Sequence, residues 1–303
     1  MVSFAVVSSF TVDVVEVGGS SFERLGGPAY YAGLTLKGLG LDPVIVSSLG
    51  YEDKGLVSDV VESYGLDVAY VGGCSSVFKF HHVYVGGRRV SRLVGRGCKI
   101  DVSAAFEALK SADWVIVSPV FREVDPGSVA ELSSHVNVAV DLQGYARVEG
   151  PEGLISSSAE ALLESLKLLS NVHLAHLSSD DLEGSHGDSR DLGVLKSFNF
   201  KPHILSYTAG PGGGYMRLNT QWYHVPAYVE SPLGDPTGCG DIYLAALAAY
   251  IARGLHPVRA AARASVAAGL RVSRGFPLSF NLGEIEEIAG KLEKTVTQLN
   301  VGF

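Results

Sequence analysis

The segment Asp235-Pro-Thr-Gly-Cys-Gly-Asp241 precedes a strongly apolar run and combines two acids with a glycine-rich turn. If the apolar run is a helix, Gly238, Cys239 and Gly240 present consecutive backbone N–H groups at its N-terminus, where they and the helix dipole attract an anion. Asp241 then lies beside that anion and can accept a proton from a hydroxyl attacking a phosphoryl group. The simpler alternative is that Asp241 only caps the helix. The second acid, Asp235, favours the catalytic interpretation.

A second glycine cluster, Gly26-Gly27, stands directly before Pro28 and a helical sequence. A glycine pair in front of a helix lets the backbone approach a small ligand closely, because no Cβ intervenes. The pair is equally compatible with an ordinary turn that places proline at the first helical position. Alone, this cluster is weak evidence for a binding site.

Signatures of several other protein classes are absent. The sequence contains no GxxxxGK[ST], GxGxxG, GxSxG or HExxH motif. Cys74, Cys98 and Cys239 are far apart and form no CxxC, so we expect neither a zinc site nor a disulfide framework, as in a reducing cytosol. His173 and His176 lie in an apolar run predicted to be a strand, where they would face opposite sides and have a structural role.

The composition predicts a globular α/β protein. The chain has 303 residues, 47% of them hydrophobic and 18% charged, which is ample for a buried core. Its net charge of −8 argues against a nucleic-acid partner. The most apolar run, residues 242–251, is far shorter than a membrane span of about 20 residues. With no signal peptide recognised at the N-terminus, we expect a cytoplasmic protein without a membrane partner.

Short apolar runs rich in β-branched residues alternate with helical runs. This alternation predicts a parallel sheet covered by helices on both faces. The predicted strands cover residues 4–8, 44–48, 114–118, 136–140, 172–177 and 203–207. The predicted helices cover residues 28–39, 54–64, 104–110, 156–169, 240–253, 257–271 and 282–299, of which 240–253 is apolar nearly all round and should be interior.

Residues 75–94 interrupt this alternation. Two extended runs flank Gly86-Gly87, a typical two-residue hairpin turn, and residues 14–17 form another extended piece. These segments predict a small β-sheet that covers a site as a lid, with lid elements at about residues 12–18 and 75–95. An edge strand at residues 78–85 could pair across a homodimer.

The two glycine clusters, in this order and about 210 residues apart, resemble the ribokinase-like (PfkB) carbohydrate kinases. GGPAYYAGLTLKGLG is similar to the family's N-terminal signature, and DPTGCGDIYLAALAAYIARG to its C-terminal signature, usually D-T-x-G-A-G-D. The resemblance implies a single domain over residues 1–303, built as a three-layer α/β/α sandwich with a mostly parallel sheet and a β-lid. It also implies transfer of the γ-phosphate of ATP to a substrate hydroxyl.

The resemblance assigns roles to individual residues. Asp241 would be the general base, and Gly238, Cys239 and Gly240 would hold the transferring phosphate. A stretch resembling the family's T-x-G-x-x-G loop would bind the nucleotide through Thr208, Gly210 and Gly213, with Gly238 and Gly240. The family's magnesium motif N-x-x-E is replaced here by Ser178 and Asp181, which could hold Mg²⁺ through water. Asp235 and Thr237 lie where relatives often coordinate a monovalent cation such as K⁺.

The acceptor is expected to be a small sugar or polyol. The stretch Asp141-Leu-Gln-Gly-Tyr-Ala-Arg147 resembles one in myo-inositol-kinase-like members, which favours myo-inositol. The acceptor-binding residues would be Asp13, Gly26, Gly27, Tyr31, Gln143, Arg147 and Asp241.

Two alternatives remain open. Tyr30-Tyr31 could stack a base in a nucleoside kinase, or the acceptor could be ribose, although ribokinases carry Asn where Tyr31 stands. From another class of protein, the altered magnesium motif is compatible with a non-catalytic sugar sensor on the kinase fold.

Overall fold

The computed structural model describes residues 2–17, 20–85, 88–169, 171–198, 200, 202–230, 235–275 and 281–300. Two β-sheets and ten α-helices account for most of these residues, with a short β-ribbon besides. The strands are β1 (Phe4–Val7), β2 (Thr11–Val17), β3 (Ser20–Gly26), β4 (Val44–Gly50), β5 (Asp67–Cys74), β6 (Phe78–Val85), β7 (Arg88–Gly95), β8 (Trp114–Val117), β9 (Asn137–Asp141), β10 (Arg147–Glu149), β11 (Ile155–Ser157), β12 (Leu174–Ser178), β13 (Ile204–Thr208), β14 (Gly214–Leu218), β15 (Gln221–Val225) and β16 (Thr297–Leu299). The helices are α1 (Pro28–Gly38), α2 (Lys54–Tyr64), α3 (Phe106–Leu109), α4 (Pro126–Leu132), α5 (Gln143–Ala146), α6 (Ala159–Leu168), α7 (Asp191–Ser197), α8 (Cys239–Ala252), α9 (Pro257–Arg274) and α10 (Leu282–Leu292).

The larger sheet has ten strands in the order β16-β15-β14-β13-β12-β9-β8-β1-β4-β5. The seven strands from β13 to β5 are parallel, and β14, β15 and β16 continue the sheet antiparallel. All six strands predicted from the sequence belong to the parallel part. Their carboxyl ends therefore meet at one edge of the sheet.

Each face of this sheet packs against its own helical layer. Alternate residues of β1 enter different cores: Val6 joins the core that includes α1, α8 and α9, and Val7 joins the core that includes α4 and α6. The predicted interior helix is α8, in which every residue from Asp241 to Tyr250 is buried. The fold is thus the expected three-layer α/β/α sandwich.

The smaller sheet confirms the second β-sheet expected from the sequence and extends it, while its role as a lid stays a prediction. Its four strands run in the order β3-β2-β6-β7, and β3 was not predicted. The paired strands β6 and β7 form the expected hairpin, whose turn residues Gly86 and Gly87 lie outside the described residues. Strand β6 is not the edge strand expected for a dimer contact, because β2 and β7 flank it on both sides.

Two further predictions are wrong. The helix expected over residues 282–299 ends at Leu292, and β16 pairs with β15 at the sheet edge. A disulfide joins Cys74, at the end of β5, to Cys98, beyond β7, with Cα atoms 5.7 Å apart. The separation of 24 residues concealed this pair because the lid hairpin lies between the two cysteines.

In the described part of the chain, no helix is long and apolar enough to cross a membrane.

Candidate active site

The candidate site lies where the carboxyl ends of the parallel strands face the N-terminus of α8. Asp141 ends β9, Thr208 ends β13 and Ser118 directly follows β8. These strands are parallel neighbours or near neighbours, so their terminal side chains reach the same edge of the sheet. Asp241 reaches the same region from the first turn of α8.

Asp241 is a buried carboxyl group among other charges. Its Oδ1 lies 3.4 Å from the hydroxyl of Ser118, and its side chain is otherwise enclosed. Burial raises the pKa of Asp241 well above the usual range for aspartate, and the nearby charge of Asp141 raises it further. The guanidinium of Arg147 acts in the opposite direction. A carboxylate with a raised pKa has a high affinity for a proton.

The turn before α8 has the geometry of an anion site, with one difference from expectation. Gly238 has a left-handed backbone (φ 82°), and a Cβ there would lie 2.5 Å from the ring of Tyr31. The N–H groups of Gly238 and Gly240 donate to no backbone carbonyl in the described ranges, but that of Cys239 donates to Pro236 O at 3.1 Å. Two of the three expected backbone donors are therefore available.

Asp13 faces the same region from β2 of the smaller sheet. The hydroxyl of Thr11 donates to Asp13 Oδ1 at 2.9 Å, and His82 Nε2 lies 3.9 Å from the same oxygen. A Cβ on Gly26 would stand only 2.3 Å from Asp13 Oδ2. Gly27 has φ 88° and packs against the backbone of Ser9. The glycine pair therefore makes room for the Asp13 carboxylate.

Gln143 and Arg147 are brought together by the short helix α5. Arg147 donates to Gln143 Oε1 at 3.0 Å and to Val120 O at 2.8 Å. Its guanidinium carbon lies 5.7 Å from the centre of the Phe80 ring on β6. Arg147 thus connects the carboxylates of the large sheet with the inner face of the small one.

Beyond the turn lies a cavity of about 510 Å³. Thr208, Gly210 and Gly213 line it, as do Cys239 and Gly240. The other lining residues are Pro211, Gly214, Val225, Ala227, Tyr228, Val229, Pro236, Tyr243, Ser265, Ala268, Gly269 and Val272, so no charged side chain is among them. Such a cavity suits a flat, mostly apolar group such as a nucleobase.

The residues expected to hold magnesium bind each other. The backbone N–H and the hydroxyl of Ser178 donate to Asp181 Oδ2 at 2.7 and 2.6 Å. Burial raises the pKa of Asp181, and the charge of Asp141 adds to this shift. In the ranges described, no three acidic, histidine or cysteine side chains are placed to share one metal ion. The neighbouring buried carboxyl groups of Asp181 and Asp141 nevertheless suit an Mg²⁺ ion that would be bound through water and the phosphates of the donor.

Asp235 and Thr237 do not fit the monovalent-cation site expected of them. Asp235 Oδ2 accepts hydrogen bonds from Arg24 and, at 2.9 Å, from Arg271. Its Oδ1 accepts from the N–H of Thr237 at 2.9 Å. Two guanidinium groups already neutralise this carboxylate, and a further cation beside it would be repelled.

The sequence interpretation missed a connected set of polar residues. His176 was assigned a structural role, but its Nδ1 lies 3.5 Å from Asp141 Oδ2 and its Nε2 lies 3.2 Å from the Thr208 hydroxyl. His173 precedes β12, and its ring lies 5.0 Å from that of Trp114, which belongs to the same core as Tyr243, the ring beside His176. These contacts do not confirm that the two histidines face opposite sides. The sequence did contain a signal for these residues in their positions, because Asp141 and His176 lie at or near the carboxyl ends of predicted parallel strands. No comparable signal pointed to Arg24 or Arg271.

An α/β/α sandwich with a second, smaller β-sheet, a glycine turn, a buried aspartate and an uncharged cavity is the arrangement expected of a sugar-kinase type of protein. Residues 23–277 match the sequence profile of the pfkB family of carbohydrate kinases. The chain belongs to this family and is a phosphotransferase that acts on hydroxyl groups. No curated protein sequence matches it significantly.

Solved structures share the fold at low sequence identity. A pyrophosphate-dependent kinase of the ribokinase family, complexed with a pyrophosphate analogue and myo-inositol, is 20% identical, with a TM-score of 0.76 over 91% of this chain and 97% of the other. A Methanocaldococcus jannaschii nucleoside kinase is 16% identical, with a TM-score of 0.68 over 96% and 99%. Ribokinase from Giardia lamblia is 16% identical, with a TM-score of 0.72 over 95% and 99%.

Proposed function

We propose that the chain is an ATP-dependent kinase, acting as a single domain with a lid, that phosphorylates a hydroxyl of a small polyol, best fitted by myo-inositol. The observation that carries this proposal is the position of Asp241. Asp241 is buried at the start of α8, close enough to Asp13, on the acceptor side, for the charge of Asp13 to raise its pKa. The preceding residue, Gly240, lines the uncharged cavity.

In the proposed reaction, an acceptor hydroxyl attacks the terminal phosphorus of the donor. The new O–P bond forms as the bond from phosphorus to the leaving diphosphate breaks, and the hydroxyl proton passes to the carboxylate of Asp241. Asp13 accepts a hydrogen bond from a second acceptor hydroxyl and orients the ring. Arg147 lies close enough to Asp241 to favour its ionised form.

The donor is placed by the turn and the cavity. The N–H groups of Gly238 and Gly240 hold the transferring phosphoryl group, while the N–H of Cys239 is bonded to Pro236 O and Cys239 lines the cavity. Thr208, Gly210 and Gly213 border the nucleotide. Asp181, with Asp141 beside it, would hold Mg²⁺ through water, and the ion would offset phosphate charge.

A polyol fits the acceptor side better than a nucleoside does. Tyr31 is 2% exposed and its ring packs against Gly238, so it offers no open face to a base. The polar groups gathered here, Asp13, Gln143 and Arg147, suit an uncharged ring with many hydroxyls. The myo-inositol bound to the similar pyrophosphate-dependent kinase supports the same class of acceptor.

Pyrophosphate is the second candidate donor, because a structurally similar kinase uses it. The uncharged cavity of about 510 Å³ favours ATP, since pyrophosphate has no apolar part to fill it. A cytoplasmic location is also proposed, although a disulfide is uncommon in a strongly reducing compartment.

A matrix of donors and acceptors tests the proposal. ATP and pyrophosphate are each combined with myo-inositol, ribose, fructose and inosine, and phosphorylated product is measured by ³¹P NMR. We expect product from ATP with myo-inositol, and Asp241→Asn serves as the blank for contaminating kinases. Product from inosine or ribose alone would replace the polyol, and product from pyrophosphate alone would replace the donor. Absence of product from every pair would refute the proposed function.

A further inference from the structure

We propose that Arg24 and Arg271 take the place of a monovalent cation at Asp235, and that Arg24 is a positioning residue through which the lid sheet holds the anion-binding turn. This inference rests on the proposed function for its kinetic consequences only. Its structural part concerns the ion pairs of Asp235 and can be tested without turnover.

Asp235 begins the turn that leads into α8, and both of its oxygens are occupied. Arg24 and Arg271 donate to Oδ2, and the backbone of Thr237 donates to Oδ1. Burial alone would raise the pKa of Asp235, but the hydrogen bonds from Arg24 and Thr237 hold it far below the usual aspartate range. The carboxylate is therefore ionised near neutral pH, with hydrogen-bond donors on both of its oxygens.

The two arginines reach Asp235 from different parts of the fold. Arg24 comes from β3, the outer strand of the small sheet, and Arg271 from the last turns of α9. The Arg271 side chain is 5% exposed and that of Arg24 is 23% exposed, against 32% for Asp235. The ion pairs are thus shielded from solvent on the arginine side and are stronger than surface pairs.

A guanidinium differs from a bound K⁺ in two respects. It is covalently part of the chain and always charged, so its presence does not depend on the salt of the medium. It also carries directional donors, which fix the orientation of the carboxylate. Because Arg24 belongs to the lid sheet, its contact with Asp235 joins that sheet directly to the turn carrying Gly238 and Gly240.

The first test measures thermal unfolding in about 100 mM KCl and in tetramethylammonium chloride at the same ionic strength. We expect the wild-type midpoint to be the same in both salts. In Arg24→Ala, the vacated space beside Asp235 can accept K⁺, so the midpoint should be higher in KCl. Arg24→Lys, which keeps the charge, should respond like the wild type. Arg259→Ala is the matched control, because Arg259 is an exposed arginine of α9 paired with Glu293.

The second test measures initial rates in the same salts. Wild-type kcat/KM should change less than about twofold, whereas Arg24→Ala should lose about ten- to a hundredfold in tetramethylammonium and recover most of it in KCl. A wild type whose unfolding or activity needs K⁺ overturns the inference, as does an Arg24→Ala protein that gains nothing from K⁺ in either test. If no donor and acceptor pair gives product, the proposed function fails while the unfolding test still decides this inference.

Discussion

Asp241 is the residue on which the proposed chemistry depends. Asp241→Asn keeps the size and hydrogen-bonding capacity of the side chain but removes its ability to take the hydroxyl proton. We expect kcat to fall by roughly 10²–10⁴, with the dissociation constants of ATP and acceptor within a few-fold of the wild type. Pre-steady-state kinetics and calorimetry measure the two effects separately. If Asp241 only caps α8, asparagine replaces it well and a folded variant keeps nearly normal turnover.

The burial of Asp241 also predicts a pH-dependent cost to stability. Its native pKa is raised by burial and by Asp141, so the native state binds this proton more tightly than the unfolded chain does. The resulting stabilisation is complete below the ordinary aspartate pKa and is lost as the pH rises through the native pKa. Asp241→Asn carries no such charge. Its melting temperature, measured without ligands, should exceed that of the wild type at pH 7–8, and the difference should shrink towards pH 4. A constant difference across this range would show that the carboxyl group is not perturbed.

At this scale, the sequence predicts residues that stand in a recognisable local pattern. Short contiguous motifs contain Asp241 with the glycines around it, and also Gly26, which lies beside Asp13 in space. His176 and Arg24 belong to no such motif, because their roles depend on partners in Asp141 and Asp235, far away along the chain. Neither pairing has a fixed sequence spacing that could be read in advance.

Among the elements, the segment that leads into the hairpin of β6 and β7 is held by a carboxylate outside the small sheet. Asp53, at the start of α2, accepts hydrogen bonds from the Ser76 hydroxyl at 2.8 Å and from the Val77 N–H at 3.0 Å. It also forms an ion pair with Lys79 of β6, 2.9 Å away. Although burial opposes it, these contacts lower the pKa of Asp53, so the carboxylate is charged and engaged.

Removing this carboxylate should loosen the lid. We expect Asp53→Ala to raise the KM for the acceptor several-fold and to increase ATP hydrolysis without acceptor, because a loosened lid admits water to the phosphoryl group. Coupled assays with and without acceptor measure both quantities. Asp42→Ala is the matched control, since Asp42 is exposed and paired only weakly with Lys37. Unchanged acceptor KM and hydrolysis in Asp53→Ala would mean that the hairpin does not cover the reacting groups.

Element prediction succeeded where burial is complete and failed where it is partial. The six predicted strands are continuous apolar runs. This pattern is typical of strands that are buried on both faces. Strand β3 reads SSFERLG and is exposed over its first half, so it carries no apolar pattern. Strand β16 directly follows the helical pattern of α10, and its three residues are too few to show a new period.

For the molecule as a whole, the disulfide between Cys74 and Cys98 adds stability that its sequence spacing did not reveal. Closing a loop of 24 residues restricts the unfolded chain by about 3–4 kcal/mol in the chain-entropy account. Reduction should lower the melting temperature by roughly 5–10 °C. A Cys74→Ser/Cys98→Ser double variant should melt at the reduced temperature and be insensitive to reductant, although it retains the free Cys239. Equal melting of the oxidised and reduced wild type would contradict this expectation.

The same bond makes a covalent ring of the segment that contains β6 and β7, because both strands lie between the two cysteines. A protease that cuts the chain once inside this ring produces two fragments that remain linked through sulfur. Such a nicked protein should migrate as an intact chain on a denaturing gel without reductant and separate into two bands once a thiol is added. Limited digestion followed by paired gels would therefore report in one step both whether the ring is closed and whether cleavage falls within the lid hairpin.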